Sequence, residues 1–169
     1  MILRLNFIFL ILSFSVFADN KISSSFLNSE LKKNYSFIER SLHQSDQKID
    51  TSSGNIFFDE KGISVNVLSP FKENYRIEGG ILEIHDVFLD QRQTIDIKED
   101  NNFFLNILIN GIDENSREYK VNLFNKTSIE VIQNDGSSKV KFLFVNNKLT
   151  LIRYKDSIGV EHGIELTQI

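Results

Sequence analysis

The sequence predicts a mainly β domain built on an antiparallel sheet, sandwich or barrel. Three observations predict it. From Ile38 onward, apolar residues recur with a period of two. The alternating runs are short, about ten in number, and separated by turn residues. Only two segments carry helical spacing instead. The 169 residues fit one domain, and a chain of that size buries roughly 70% of its unfolded surface.

The first eighteen residues read as an address. Arg4 is the only charge before Asp19, and Leu5 to Phe17 is apolar apart from Asn6, Ser13 and Ser15. Val16-Phe17-Ala18 then supplies a cleavage site. The alternative, a membrane anchor, is disfavoured because a spanning helix needs about 20 apolar residues. Residues 1–18 are therefore expected to be a cleaved signal peptide and 19–169 a single domain. Removing Arg4 from the 19 basic residues leaves 18 against 23 acidic ones, a formal charge of -5. That balance argues against a nucleic-acid partner. No Cys is present, which removes disulfides, thiolate catalysis and lipid attachment at an N-terminal Cys.

The elements follow in order. Three serines, Ser23 to Ser25, precede Leu27 and Leu31, an i, i+4 pair on one helical face. With Lys32-Lys33 favouring the negative end of the dipole, a helix is expected from about Ser24 to Lys33. Strands are then expected around Ile38–Leu42, Ile56–Phe58, Ile63–Val67, Tyr75–Ile77, Ile81–Ile84, Thr94–Ile97, Tyr119–Phe124, Ser128–Gln133, Lys139–Val145, Leu149–Tyr154 and Ile164–Gln168. Ser53-Gly54, Lys61-Gly62, Gly79-Gly80, Asn134-Asp135-Gly136 and Asn146-Asn147 are the turn signals between them. The segment from Asn101 to Gly111 differs. Phe104, Leu105, Leu108 and Ile109 cluster on one helical face between cap residues, which predicts a short helix. Phe103, Leu105, Ile107 and Ile109 also alternate, so a strand is the competing reading.

Residues able to do chemistry are sparse. His43, His85 and His162 are scattered. His162-Gly163-Ile164-Glu165 has a trace of metal spacing, but on a turn entering a strand it reads as solvated. Lys98-Glu99-Asp100 reads as an exposed turn, since neighbours on an extended chain diverge. Asp86 and Asp90 read as the polar residues of a tight connection, no base partner being identifiable. The triplets Asn34-Tyr35-Ser36 and Asn125-Lys126-Thr127 match glycosylation sequons, a pattern common by chance. No nucleophile–base pair, metal set or cofactor motif points to an enzyme. The abundant Phe, Ile, Leu and Val could fill a core, or could line a cavity enclosed by a curved sheet.

From Gly54 to about Gln93 the chain resembles the periplasmic outer-membrane lipoprotein carriers, the LolA-like proteins. Gly54-Asn55-Ile56-Phe57-Phe58, a turn, then Ile63-Ser64-Val65-Asn66-Val67-Leu68-Ser69-Pro70 resembles their glycine–strand–turn–strand–proline unit. Gly79-Gly80 resembles their Asp-Gly hairpin turn. His85-Asp86-Val87-Phe88-Leu89-Asp90-Gln91 is similar to their Tyr-Asp-Pro-x-Leu-Glu-Gln segment, and Ile38-x-x-x-Leu42-x-Gln44 to their first strand. Ile63 and Val65 replace the family's aromatics, Val87 replaces a proline, and the chain lacks the family's Phe- and Pro-containing closing strand. The family's basic residue that helps hold the lid closed falls on Glu60 or Lys61, the two latch candidates.

The resemblance implies a curved antiparallel sheet forming an incomplete barrel, covered by short lid helices. Lipoprotein acyl chains would lie between sheet and lid. Ile38, Leu42, Ile56, Phe58, Ile63, Val65, Val67 and Tyr75 would form the sheet side, and Leu27, Leu31, Phe104, Leu105 and Leu108 the lid side. The implied partners are acylated lipoproteins, an inner-membrane lipoprotein-releasing ABC transporter and an outer-membrane receptor lipoprotein. A periplasmic monomer without metal or cofactor is expected; the missing Cys separates a soluble carrier from the anchored receptor. The alternative is a periplasmic sensor or scaffold domain that binds a protein, or another lipid, through the same sheet.

Overall fold

In the computed structural model, residues 22–97, 102–124 and 127–169 are described. The expected leader, the Lys98-Glu99-Asp100 turn and the start of the second sequon lie outside them. Among the described residues, two helices, α1 (Ser24–Glu30) and α2 (Phe103–Asn110), accompany eleven strands. These are β1 (Tyr35–His43), β2 (Lys48–Phe58), β3 (Gly62–Ser69), β4 (Glu73–Glu78), β5 (Ile81–Asp86), β6 (Gln91–Asp96), β7 (Tyr119–Phe124), β8 (Ser128–Gln133), β9 (Lys139–Val145), β10 (Lys148–Lys155) and β11 (Glu161–Gln168).

All strands join one antiparallel sheet in the order β6-β5-β4-β3-β2-β1-β11-β10-β9-β8-β7. Hairpins generate every neighbour except β1–β11, which brings the two halves of the chain together. β6 and β7 remain as ends, so the sheet is an incomplete barrel with the helices over its inner face. Antiparallel pairing keeps the period of two in phase across strands. The register Phe37↔Gly54, Gly54↔Val67 and Val65↔Tyr75 fixes one inner face on β1–β4. Phe37↔Leu166, Ile152↔Ile164 and Ile152↔Phe142 carry it to β9.

Local chemistry explains the element ends. The Ser23 hydroxyl accepts from the Phe26 amide and caps α1. Asn102 does the same for the Leu105 amide, and Gly111 ends α2 with a positive φ of 73°. The segment is thus the helix, not the competing strand. Asn146 and Asn147 both hold positive φ between β9 and β10, the conformation a two-residue hairpin turn requires. One expected turn is corrected. Gly54 lies inside β2, at a register shift against β3. A Cβ there would stand 2.0 Å from the Asn66 carbonyl oxygen and 2.9 Å from the Phe37 ring. Glycine is needed for that close approach, not for a reversal.

The core is concentrated over β8–β10. Ile129, Val131, Val140, Phe142, Leu149 and Ile152 are essentially inaccessible, and Leu27 of α1 sits among them. Glu30 fixes the helix there. Its buried carboxylate accepts from the Leu149 amide at 3.0 Å and from Lys33, and lies 3.3 Å from the Tyr35 hydroxyl, which donates to the Glu30 carbonyl at 2.9 Å. A register shift between Leu149 and Leu151 accompanies this bond on β10. Among the described residues, no buried side-chain polar atom lacks a partner, and no helix is long and apolar enough to cross a membrane.

Candidate functional site

The other half of the sheet is not filled. Between α2 and the inner faces of β2–β4 lies a cavity of about 400 Å³. Ile56, Val65, Val67 and Tyr75 line it from the sheet, and Phe104, Leu105 and Leu108 from α2. The register explains the convergence: Ile56 pairs with Val65, Val65 with Tyr75, and all three point inward. Pro70 and Phe71 stand at the rim on the β3–β4 turn, where Phe71 is largely exposed.

The remaining residues expected on the site fall elsewhere. Ile38 and Leu42 are on the outer face, Ile38 being 42% exposed. The inner positions of β1 are Tyr35, Phe37, Glu39 and Ser41. Leu27 belongs to the filled core and does not line this cavity. Leu31, Phe58 and Ile63 line a second, larger space of about 720 Å³ below the far end of α2. Glu60 and Lys61 stand on the rim of that second space, on the β2–β3 turn. Among the described residues, neither side chain forms a hydrogen bond or ion pair with α2.

Other contacts hold α2. The Asn28 side chain of α1 donates to the Ile112 carbonyl at 2.9 Å and accepts from the Ile112 amide at 2.8 Å, clamping the chain just after α2. The left-handed Gly111 passes so close that a Cβ would stand 2.6 Å from the Asn28 Oδ1. At the other end, Phe104 stacks on Tyr154 of β10 at 4.1 Å between ring centroids, and Tyr154 stacks on His162 of β11 at 4.5 Å.

His162 is therefore not the solvated residue expected. Its Nδ1 lies 2.7 Å from Glu39 Oε1 and 3.1 Å from the Ser41 hydroxyl, and its Nε2 lies 3.3 Å from Asp156 Oδ2. The hydrogen bond to Glu39 raises the imidazole pKa against the opposing effect of burial, and the bond to Asp156 adds to it. The same bond to His162 lowers the Glu39 pKa, opposed by burial and assisted by the Ser52 hydroxyl, 3.1 Å from Oε2. Burial pushes the Tyr154 hydroxyl well above its ordinary range. The group places Glu39 and the Ser41 hydroxyl on the Nδ1 side of the ring and Asp156 on its Nε2 side. It is a polar buttress beneath an aromatic stack. Asp86 and Asp90 take the structural role expected of them. Asp86 caps its turn through the Phe88 and Leu89 amides, and Asp90 pairs with His85. Among the described residues, no cluster of side chains could hold a metal ion.

Sequence reasoning missed Phe37, Glu39, Ser52 and Tyr154 in the lining of the cavity, and His162 stacked on Tyr154. Tyr154 carried no local signal, because its partners come from α2 and β11. Glu30 did carry one: it lies three residues after Leu27, on the buried face of α1.

No family model matches the sequence, and no curated protein matches it. The fold is similar to the crystal structure of a LolA superfamily protein from Nitrosomonas europaea. The similarity has a TM-score of 0.53 at 10% sequence identity and covers 85% of this chain and 90% of that one. The two chains thus share a fold.

Proposed function

We propose that this protein is a periplasmic carrier that shields the acyl chains of lipoproteins in the cavity beneath α2 and moves them from the inner to the outer membrane. The observation that carries the reading is the unfilled apolar space of about 400 Å³ in a sheet whose other half is densely packed. Burying an acyl methylene stabilises by about 0.8 kcal/mol, so an exposed multi-chain anchor strongly resists crossing water. The cavity replaces part of the water around such chains with Ile56, Val65, Val67 and Leu105. Cargo would come from an inner-membrane lipoprotein-releasing ABC transporter and leave to an outer-membrane receptor lipoprotein. The protein would act as a monomer, without catalysis or cofactor.

A carrier must also release its load. α2 is held by the Asn28 clamp, the Phe104–Tyr154 stack, the Phe103–Tyr119 edge contact and the buried Ile107. A ligand shifts such a lid only by its differential affinity for open and closed arrangements.

The test is a photo-crosslinking amino acid at Val65, with one at Ile38 on the outer face as control. The carrier reading predicts acylated lipoprotein adducts in cells from Val65 and few from Ile38. Protein adducts without acyl chains would favour the sensor or scaffold reading, and no lipoprotein or lipid adduct would sink the carrier reading.

A further inference from the structure

The two cavities beneath α2 share a wall. Leu108 of α2 and Ile77 of β4 border both the space of about 400 Å³ and the space of about 720 Å³. Phe104 and Leu105 border only the first, and Ile109 only the second. One turn of α2 therefore passes from one chamber to the next, with Leu108 at the step. The chambers differ in chemistry. The first has an apolar lining broken mainly by Glu39, Ser52 and Glu73. The second has an apolar floor of Leu31, Phe58 and Ile63 under a rim that includes Lys32, Glu60 and Lys61.

We propose that Leu108, with Ile77 opposite in the lining, is a partition that sets the length of acyl chain the first chamber holds. This rests on the carrier reading. A chain entering past Phe71 gains favourable burial along the inner face until it meets the partition. Each buried methylene multiplies affinity by about four. Beyond the partition, further methylenes gain nothing unless Leu108 gives way. Affinity should thus climb with chain length and then level off.

The experiment is calorimetric titration of the full chain with a homologous series of saturated lysophosphatidylcholines below their micelle-forming concentrations. The wild type is expected to show a break in the plot of log affinity against chain length. Leu108→Ala joins the chambers and moves the break to longer chains, and Leu108→Phe moves it to shorter ones. Leu105→Ala, which touches the first chamber alone, lowers affinity along the series and leaves the break in place. Alanine is a better helix former than leucine, so Leu108→Ala retains α2; Ile77→Val trims the same partition from the sheet and should shift the break in the same direction, by less. An unmoved break in Leu108→Ala, Leu108→Phe and Ile77→Val overturns the partition while leaving the carrier reading standing. Absence of binding by the wild type at every length overturns the carrier reading and the partition with it.

Discussion

The two halves of the sheet share one alternating pattern and end differently. Over β8–β10, Ile129, Val131, Val140 and Phe142 are buried with Leu27 and the rest of the apolar core. Over β2–β4, Val65, Val67 and Tyr75 face α2 across open space and stay half-buried. Side-chain type does not make the difference, since both faces are rich in β-branched and aromatic residues. What lies opposite makes it. α1 is drawn down onto β10 by the buried Glu30 carboxylate, whereas α2 buries Ile107, is tied at its ends by Asn28 and by the stack on Tyr154, and leaves Leu105 and Leu108 over the space. One half supplies stability and the other forgoes some of it for space.

That contrast is open to attack from both sides. The largest effect is expected in the filled half. Phe142→Ala should cost about 3–5 kcal/mol in denaturant unfolding, because the cavity it leaves cannot collapse fully. Val65→Ala should cost only about 1 kcal/mol, since its methyls already border a void. Equal losses at the two sites would erase the distinction between the halves. Next is the device that pins α1. Glu30→Ala should cost about 1–3 kcal/mol by leaving the buried Leu149 amide without an acceptor. Glu30→Gln, which retains an acceptor oxygen, should lose less, and an equal loss would mean that charge rather than the hydrogen bond matters.

The smallest effect concerns the buttress under the cavity. The His162 pKa is raised from its ordinary 6.5, chiefly by the hydrogen bond to Glu39. A raised value means that its stabilising contribution is fully present below about 6.5 and fades as pH climbs through the folded-state value. The Glu39 pKa is lowered, chiefly by His162, so its contribution is present above the ordinary 4.5 and is lost as pH falls through its folded-state value. Thermal melts should therefore show stability declining as pH rises above about 6.5, in a window set by the imidazole. In His162→Gln that decline should shrink; an unchanged profile would remove His162 from the account.

Much of the sheet was legible because alternation is a local signal. The eleven strands, the Asn146-Asn147 turn and α2 with its Asn102 and Gly111 caps all follow from neighbours in sequence. The inner face of β1 was not legible. Ile38 and Leu42 form its more apolar stripe beyond Phe37, yet Glu39 and Ser41 point inward, because their partner His162 arrives from β11, more than a hundred residues away. A polar pair buried by a distant strand defeats a reading based on hydrophobic period. Gly54 misled for a related reason: a glycine placed for close packing looks in sequence like one placed for a turn. Whether the apolar supply filled the sheet or lined a space depended on how far α2 stands from β3, which no local pattern records.

Mass spectrometry of lipids retained by the protein after gentle purification from its native cell envelope tests the central claim most directly. The carrier account predicts acylated lipoprotein bound to the wild type and lost in Val65→Phe, which fills the cavity without disturbing the packed half. Protein that carries no acyl chain in either form, even when purified from cells with abundant lipoproteins, would contradict it.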